Sequence, residues 1–198
     1  MLSVVVQAGG QSTRMGENKA LKPFLGRPLI QRVIERVRPI ADELLVTTND
    51  PVAFSFLELS LIPDLKPGRG ALGGLYTALA SARHAHVAVV ACDMPFASAP
   101  LLAAGSGLLE QDQADVVIAE TPQGFEPLHA VYRRTTCLHA VESAIAADQW
   151  RMIAWFAQVQ VRKFTEDELQ HYDAERLAFW NLNTPEEFAE AERRAETL

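Results

Sequence analysis

The sequence predicts an α/β fold in which a largely parallel sheet is covered by helices. Runs such as Val4-Val5-Val6 and Val87-Ala88-Val89-Val90-Ala91 are apolar throughout rather than alternating, the pattern of strands buried on both faces. Longer stretches with apolar residues at helical spacing lie between those runs. Several runs end in Gly, Asn or Asp, where a buried strand gives way to a surface loop.

Taken in order, Val4 to Gln7 reads as the first buried strand. Leu29, Ile30, Val33, Ile34 and Val37 recur at helical spacing between Pro28 and Arg38, and Pro39 stops that helix. Leu44 to Thr48 is a second strand, and Ser60 to Ile62 a short third before Pro63. Leu72, Leu75, Leu79 and Ala82 form the next helix stripe, followed by a strand over Val87 to Cys92. Ala99 to Gln111 reads as helical and Asp115 to Ala119 as a strand. Further on, Glu126 to Arg133 is extended, Thr135 to Ala147 helical and Val159 to Phe164 extended. Thr165 with Glu168 is a capping-box pattern, as is Thr184 with Glu187, the latter with Pro185 at the first helical position.

At 198 residues the chain suits one domain with a substantial core and is short for two ordinary ones. It shows no repeat, low-complexity segment or long linker, so residues 1–198 are expected to form a single domain. A net charge of −7 argues against binding a long nucleic acid, which needs a basic surface, but leaves room for a single nucleotide in a local basic pocket. Two cysteines, Cys92 and Cys137, are too few for a disulfide framework or a cysteine-rich zinc site. No stretch approaches the roughly 20 apolar residues of a membrane span, and no basic region leads into a signal-length apolar segment. A cytoplasmic location without membrane attachment is the expectation.

Open α/β sheets bind ligands beyond the carboxyl ends of their strands, near the point where strand order reverses. That rule brings Gln7-Ala8-Gly9-Gly10, Asn49-Asp50 and Asp93-Met94-Pro95 to one rim. Paired glycines let backbone N–H groups approach phosphate oxygens, and Arg14 and Lys19 follow to supply charge. Arg14 offers a planar fork and Lys19 a mobile point charge. Neither G-x-G-x-x-G nor the ATPase P-loop occurs within the segment from Gln7 to Lys19. A plain glycine turn flanked by two solvated basic residues is the competing reading.

Asp93 follows the apolar run to Cys92 and is placed to hold Mg²⁺ through its carboxylate, with phosphates and water completing the octahedron. An aspartate opening a turn stopped by Pro95 would look the same. Cys92 reads as a small buried residue, not a nucleophile, because no base is identifiable beside it. The segment Asp64 to Leu75 is a second glycine-rich entry to a helix; its N–H groups could read a base edge or ribose, and Asp64 could accept from a hydroxyl. The five histidines are scattered and form no evident ligand set.

With these segments in hand, the chain resembles the nucleotidyltransferases that activate small phosphorylated molecules, most closely the molybdenum cofactor guanylyltransferase family. The matching positions are Gln7 to Gly10, Arg14 to Gly16, Lys19, Lys22-Pro23, Gly26 to Ile30, Asn49, Asp64 and Gly70 to Leu75. They continue through Asp93-Met94-Pro95, Glu126-Pro127-Leu128, Tyr132 and Asn181 to Pro185. Two departures stand out: Gln7 where that family usually has Leu, and Ala71 where Pro is common.

The resemblance implies a Rossmann-like three-layer α/β/α fold with a mostly parallel mixed sheet, of the nucleotide-diphospho-sugar transferase type. It implies transfer of GMP from GTP to the terminal phosphate of molybdopterin, with or without its molybdenum, and release of pyrophosphate. Gln7, Ala8, Gly9, Gly10, Lys19, Asn49, Asp64 and Asp93 would contact the nucleotide, Asp93 would hold Mg²⁺, and Arg14, Lys19 and Asp93 would be catalytic. Proteins that deliver the cofactor or receive it would be possible partners. Cytidylyl transfer to the same pterin, transfer to a sugar phosphate, and a non-catalytic nucleotide-binding domain are the alternatives.

Overall fold

A computed structural model describes residues 1–9 and 18–197. Its strands are β1 (Leu2–Gln7), β2 (Pro23–Phe24), β3 (Arg27–Pro28), β4 (Glu43–Thr47), β5 (Ser60–Ile62), β6 (His86–Ala91), β7 (Val116–Thr121), β8 (Gly124–Arg133) and β9 (Val161–Lys163). Its helices are α1 (Leu29–Val37), α2 (Gly70–Ser81), α3 (Ala99–Gln111), α4 (Arg134–Ala146), α5 (Glu166–Tyr172) and α6 (Pro185–Ala195). Seven strands form one sheet in the order β5-β4-β1-β6-β8-β7-β9.

The pattern of β1 shows why the layers stack as they do. Leu2, Val4 and Val6 face a core with Ile30, Val33, Ile34 and Val37 of α1 and Leu101, Leu102 and Leu109 of α3. Val5 points the other way, to Leu72, Leu75 and Leu79 of α2 and Val141 and Ala144 of α4. Both faces of β1 are covered, and Val4, Val5 and Val6 are each 0% exposed. Burying a side chain of this kind contributes up to ~1.5–3 kcal/mol, so the continuous apolar run is what makes β1 a central strand. This is the three-layer α/β/α arrangement.

The sheet is parallel from β5 through β4 and β1 to β6. It turns antiparallel at β8, which pairs with both β6 and β7. The cause is local: only Pro122 and Gln123 lie between β7 and β8, enough for a hairpin and far too few for a parallel crossover. The hairpin also carries both strands beyond their expected bounds, β7 to Thr121 and β8 back to Gly124, through the pairs Glu120–Phe125 and Thr121–Gly124.

Both capping boxes form as the sequence predicts, at Thr165 with Glu168 and at Thr184 with Glu187. The small β2–β3 hairpin has no counterpart in the sequence reading, because Pro23 and Pro28 mask two-residue strands. Its turn places Leu25 at φ 50° and Gly26 at φ 78°, the left-handed pair that a tight hairpin requires.

A third apolar cluster joins Phe24, Leu29 and Phe96 to Leu182, Phe188 and Ala191. Phe96 and Trp180 stack within it at 5.7 Å between ring centroids. Leu182 N donates to Asp93 O at 3.0 Å. This cluster fastens the segment before α6 to the loop after β6, and so brings Asn181 to Asn183 to the sheet's carboxyl rim.

Candidate active site

Strand β1 is flanked by β4 and β6, both parallel to it, and the chain order reverses between β1 and β6. Their carboxyl ends open into a cavity of about 900 Å³ whose lining includes Gln7, Ala8, Gly9, Lys19, Asn49, Asp64 and Asp93. That volume suits a ligand the size of a nucleotide. The structure thus gathers seven expected site residues from five separate stretches of the chain. Gly10 and Arg14 lie outside the described residues.

Lys19 opens a short 3-10 turn, Lys19–Leu21, whose first free N–H is capped when Ala20 N donates to Asn18 Oδ1 at 3.1 Å. Its ammonium donates to Asp93 Oδ2 at 3.1 Å, to Leu182 O at 3.1 Å and to Asn183 Oδ1 at 2.9 Å. An ammonium has three N–H donors, and all three are engaged. The Lys19 and Asp93 side chains are 17% and 19% exposed, which shields the pair from water and strengthens it relative to a surface ion pair.

Asn49 and Asp64 sit just beyond β4 and β5, and the two are linked by hydrogen bonds in both directions. Asp64 Oδ1 is buried without a partner among the described residues. The second glycine loop leads into α2 with Gly68 at φ 76° and Gly70 at φ 56°, both in the left-handed region. Gly73 is needed for another reason: a Cβ there would stand 2.8 Å from Lys66 O.

The main chains of Gln7 and Ala8 differ from a free phosphate cradle. Gln7 O accepts from Cys92 N at 3.1 Å, and Ala8 N donates to Thr47 O at 2.8 Å. Those bonds extend the sheet, so the Gln7 carbonyl and the Ala8 N–H are already engaged, and Gly9 is the first residue beyond the ladder. Cys92 also borders the cavity. Burial first, then the Asp93 carboxylate, pushes its thiol up to about 12, which keeps it protonated and unreactive at neutral pH.

Asn18, Asn181 and Asn183 line the same cavity, and none is marked by periodicity or charge. The Asn-x-Asn-Thr-Pro match is the one sequence signal that points to the last two. Among the described residues no three His, Cys, Asp or Glu gather to hold a metal. A cation here would depend on the Asp93 carboxylate, neighbouring oxygens, water and substrate phosphates. These hard oxygen donors suit Mg²⁺, which is commonly held by one or two carboxylates and keeps much of its water.

A parallel switch point, a shielded lysine–aspartate pair and a glycine-rich helix entry on one rim suit a nucleotidyltransferase. The sequence pattern of the MobA-like NTP transferase domain matches residues 4–161. The molybdenum cofactor guanylyltransferase of Desulfosudis oleivorans is 35% identical over 189 residues, covering 95% of this chain and 93% of that protein. A crystal structure of molybdopterin-guanine dinucleotide biosynthesis protein A from Archaeoglobus fulgidus superposes with a TM-score of 0.86 at 27% identity, covering 100% of both chains. The 2-C-methyl-D-erythritol 4-phosphate cytidylyltransferase of Thermus thermophilus shares the fold, with a TM-score of 0.69 at 15% identity over 98% of each chain. The chain belongs to the MobA-like NTP transferase family and, within it, to the molybdenum cofactor guanylyltransferases. No described helix is long and apolar enough to cross a membrane.

Proposed function

We propose that the chain acts as a single cytoplasmic domain that transfers GMP from GTP to the terminal phosphate of molybdopterin, releasing pyrophosphate. The observation that carries this reading is Lys19, held by Asp93 and Asn183 at the carboxyl rim where β1 and β6 part. The arrangement places the Lys19 ammonium and the Asp93 carboxylate side by side at a cavity of nucleotide size. Nucleotide contacts are assigned to Gln7, Ala8, Gly9, Gly10, Lys19, Asn49, Asp64 and Asp93.

The chemistry is governed by charge. Both the attacking phosphate and the α-phosphate are anionic, so alignment and relief of repulsion dominate the barrier. The Lys19 ammonium can exchange its protein acceptors for phosphate oxygens and stabilise the departing pyrophosphate. Arg14, on the preceding segment, is assigned the same task. The Asp93 carboxylate would hold Mg²⁺, which when bound neutralises phosphoryl oxygens as a Lewis acid. Asn183 and the Leu182 carbonyl keep the Lys19 side chain oriented before substrate arrives. The nucleophile arrives ionised, so no general base and no covalent intermediate is required.

Pyrophosphate release with molybdopterin and each of the four nucleoside triphosphates tests the reading. A site that hydrogen-bonds guanine and leaves its groups unpaired with cytosine discriminates by up to ~10⁴-fold. GTP is expected to be much the fastest. A preference for CTP would move the chain to cytidylyl transfer, and no transfer with any triphosphate would overturn catalysis.

A further inference from the structure

Gln7 and Ala71 touch each other across the cavity rim. Gln7 Nε2 donates to Ala71 O across 3.2 Å, between residues 64 apart in the chain. The Gln7 side chain is turned onto α2 and is itself 6% exposed. It lies against Gly74, where an added Cβ would stand 2.0 Å from Nε2 and 2.6 Å from Cδ. The groove that takes the amide therefore exists because residue 74 has no side chain. A carbonyl can only accept, so the amide nitrogen must face Ala71. That leaves Gln7 Oε1 buried and without a partner among the described residues.

An orphaned buried acceptor lowers stability, and a leucine of similar bulk would carry no such cost. The stability of the fold therefore does not explain the amide; its contact does. Ala71 lies in the first turn of α2, directly after Gly68 and Gly70, which are both in the left-handed region. A glycine-rich helix entry has much backbone freedom to lose, and it forms one wall of the cavity through Gly68, Gly70 and Ala71.

We infer that Gln7 is a positioning residue: its amide clamps the Ala71 carbonyl and fixes the second glycine loop in the geometry that receives nucleotide. The functional half of this inference rests on the reading of the cavity as a GTP site. A proline at position 71 would supply the same rigidity by another route. It would restrict φ in the first helical turn, where a missing N–H removes no intrahelical bond.

The test compares wild type, Gln7→Leu, Ala71→Pro and the double variant. Gln7→Leu is expected to raise the GTP Kd and KM about tenfold, the equivalent of about 1.4 kcal/mol. It should affect KM more than kcat, while the thermal midpoint stays at or above that of wild type. In the ligand-free protein, amide exchange over residues 68–74 should speed up. Adding Ala71→Pro should reverse both the affinity loss and the faster exchange. Gly74→Ala, which evicts the amide while keeping Gln7, should reproduce the binding defect. Unchanged affinity and exchange in Gln7→Leu would overturn the inference. So would a defect that comes with a lower thermal midpoint and is not rescued by proline, since that describes ordinary packing. If wild type binds no GTP, the GTP-site reading fails, and the exchange comparison alone then decides whether the clamp exists.

Discussion

Asn49 and Asp64 hold each other in both directions: Asn49 Nδ2 donates to Asp64 Oδ2 at 2.8 Å, and Asp64 N donates to Asn49 Oδ1 at 3.1 Å. The two bonds tie the segment after β4 to the segment after β5 at the cavity wall. They also fix the carboxylate so that Oδ1 has no partner among the described residues and lies 3.7 Å from where a Gly9 Cβ would stand. Glycine at position 9 keeps that approach open.

Asn49→Ala removes both bonds and releases Asp64. Each is worth roughly 0.5–1.5 kcal/mol, so GTP binding should weaken by about tenfold, with a smaller loss of stability to urea. Calorimetric titration beside a urea curve measures both. GTP affinity equal to wild type would show the pair to be a loop fastening with no part in binding.

Asp93→Asn keeps the shape and removes the charge that pairs with Lys19. Turnover should fall by at least ~10²-fold, the scale on which preorganised electrostatic groups contribute. The fold should survive, because Leu182 N bonds the Asp93 backbone carbonyl and not its side chain. Steady-state rates across a Mg²⁺ titration decide it, and near-normal turnover at every metal concentration sinks the assignment.

Lys19→Ala and Asn183→Ala separate contact from orientation. Losing the ammonium removes a charged contact worth about 1.5–3 kcal/mol, to be read in the GTP Kd, in turnover, or in both. Asn183→Ala leaves the ammonium with Asp93 and Leu182 O, and should cost clearly less. Equal losses in the two variants would show that Asn183 itself contacts substrate.

His129 gives the stability of the protein an acid-sensitive component. The ring is 0% exposed, and its Nε2 accepts from Ser98 N at 3.0 Å at the start of α3. Burial first, and the Arg36 charge second, lower its pKa from 6.5 to about 4. The unfolded chain therefore takes up a proton near 6.5 that the folded protein refuses until about 4. Stability is full above 6.5 and falls as pH drops through that window, by about 3 kcal/mol in all. The Glu168 carboxyl, held near 2 chiefly by hydrogen bonds from Arg162, loses its contribution in a lower window, as pH falls from 4.5 towards 2. Urea unfolding at about pH 7 and about pH 5 should show a smaller drop for His129→Gln, which keeps an acceptor but does not titrate. Parallel losses in the two proteins would refute the assignment.

What could be read from the sequence followed from the range of the forces involved. Strand β6 and helix α1 were legible because a doubly buried strand and a one-sided helix each write a local pattern, and both capping boxes lie within a few residues. The antiparallel β8 was not, since its direction depends on the length of the β7–β8 link and on its neighbours. Seven of the expected site residues lie around one cavity, because the strand-end rule links local sequence to global position. The convergence of Leu182 and Asn183 on Lys19 has no local trace, and neither does the turn of the Gln7 side chain onto α2.

The bond between Lys19 and Asn183 joins residues 164 positions apart, which gives the site a history during translation. The lysine leaves the ribosome early, followed by β4, β5 and β6, and those parallel strands can associate while synthesis continues. The acceptors Leu182 O and Asn183 Oδ1 are made near the end. A nascent chain can therefore own a folded sheet and a glycine turn well before its ammonium is oriented. Premature termination ahead of residue 182 would yield a stub that keeps much of the nucleotide cavity yet lacks these two partners of its lysine.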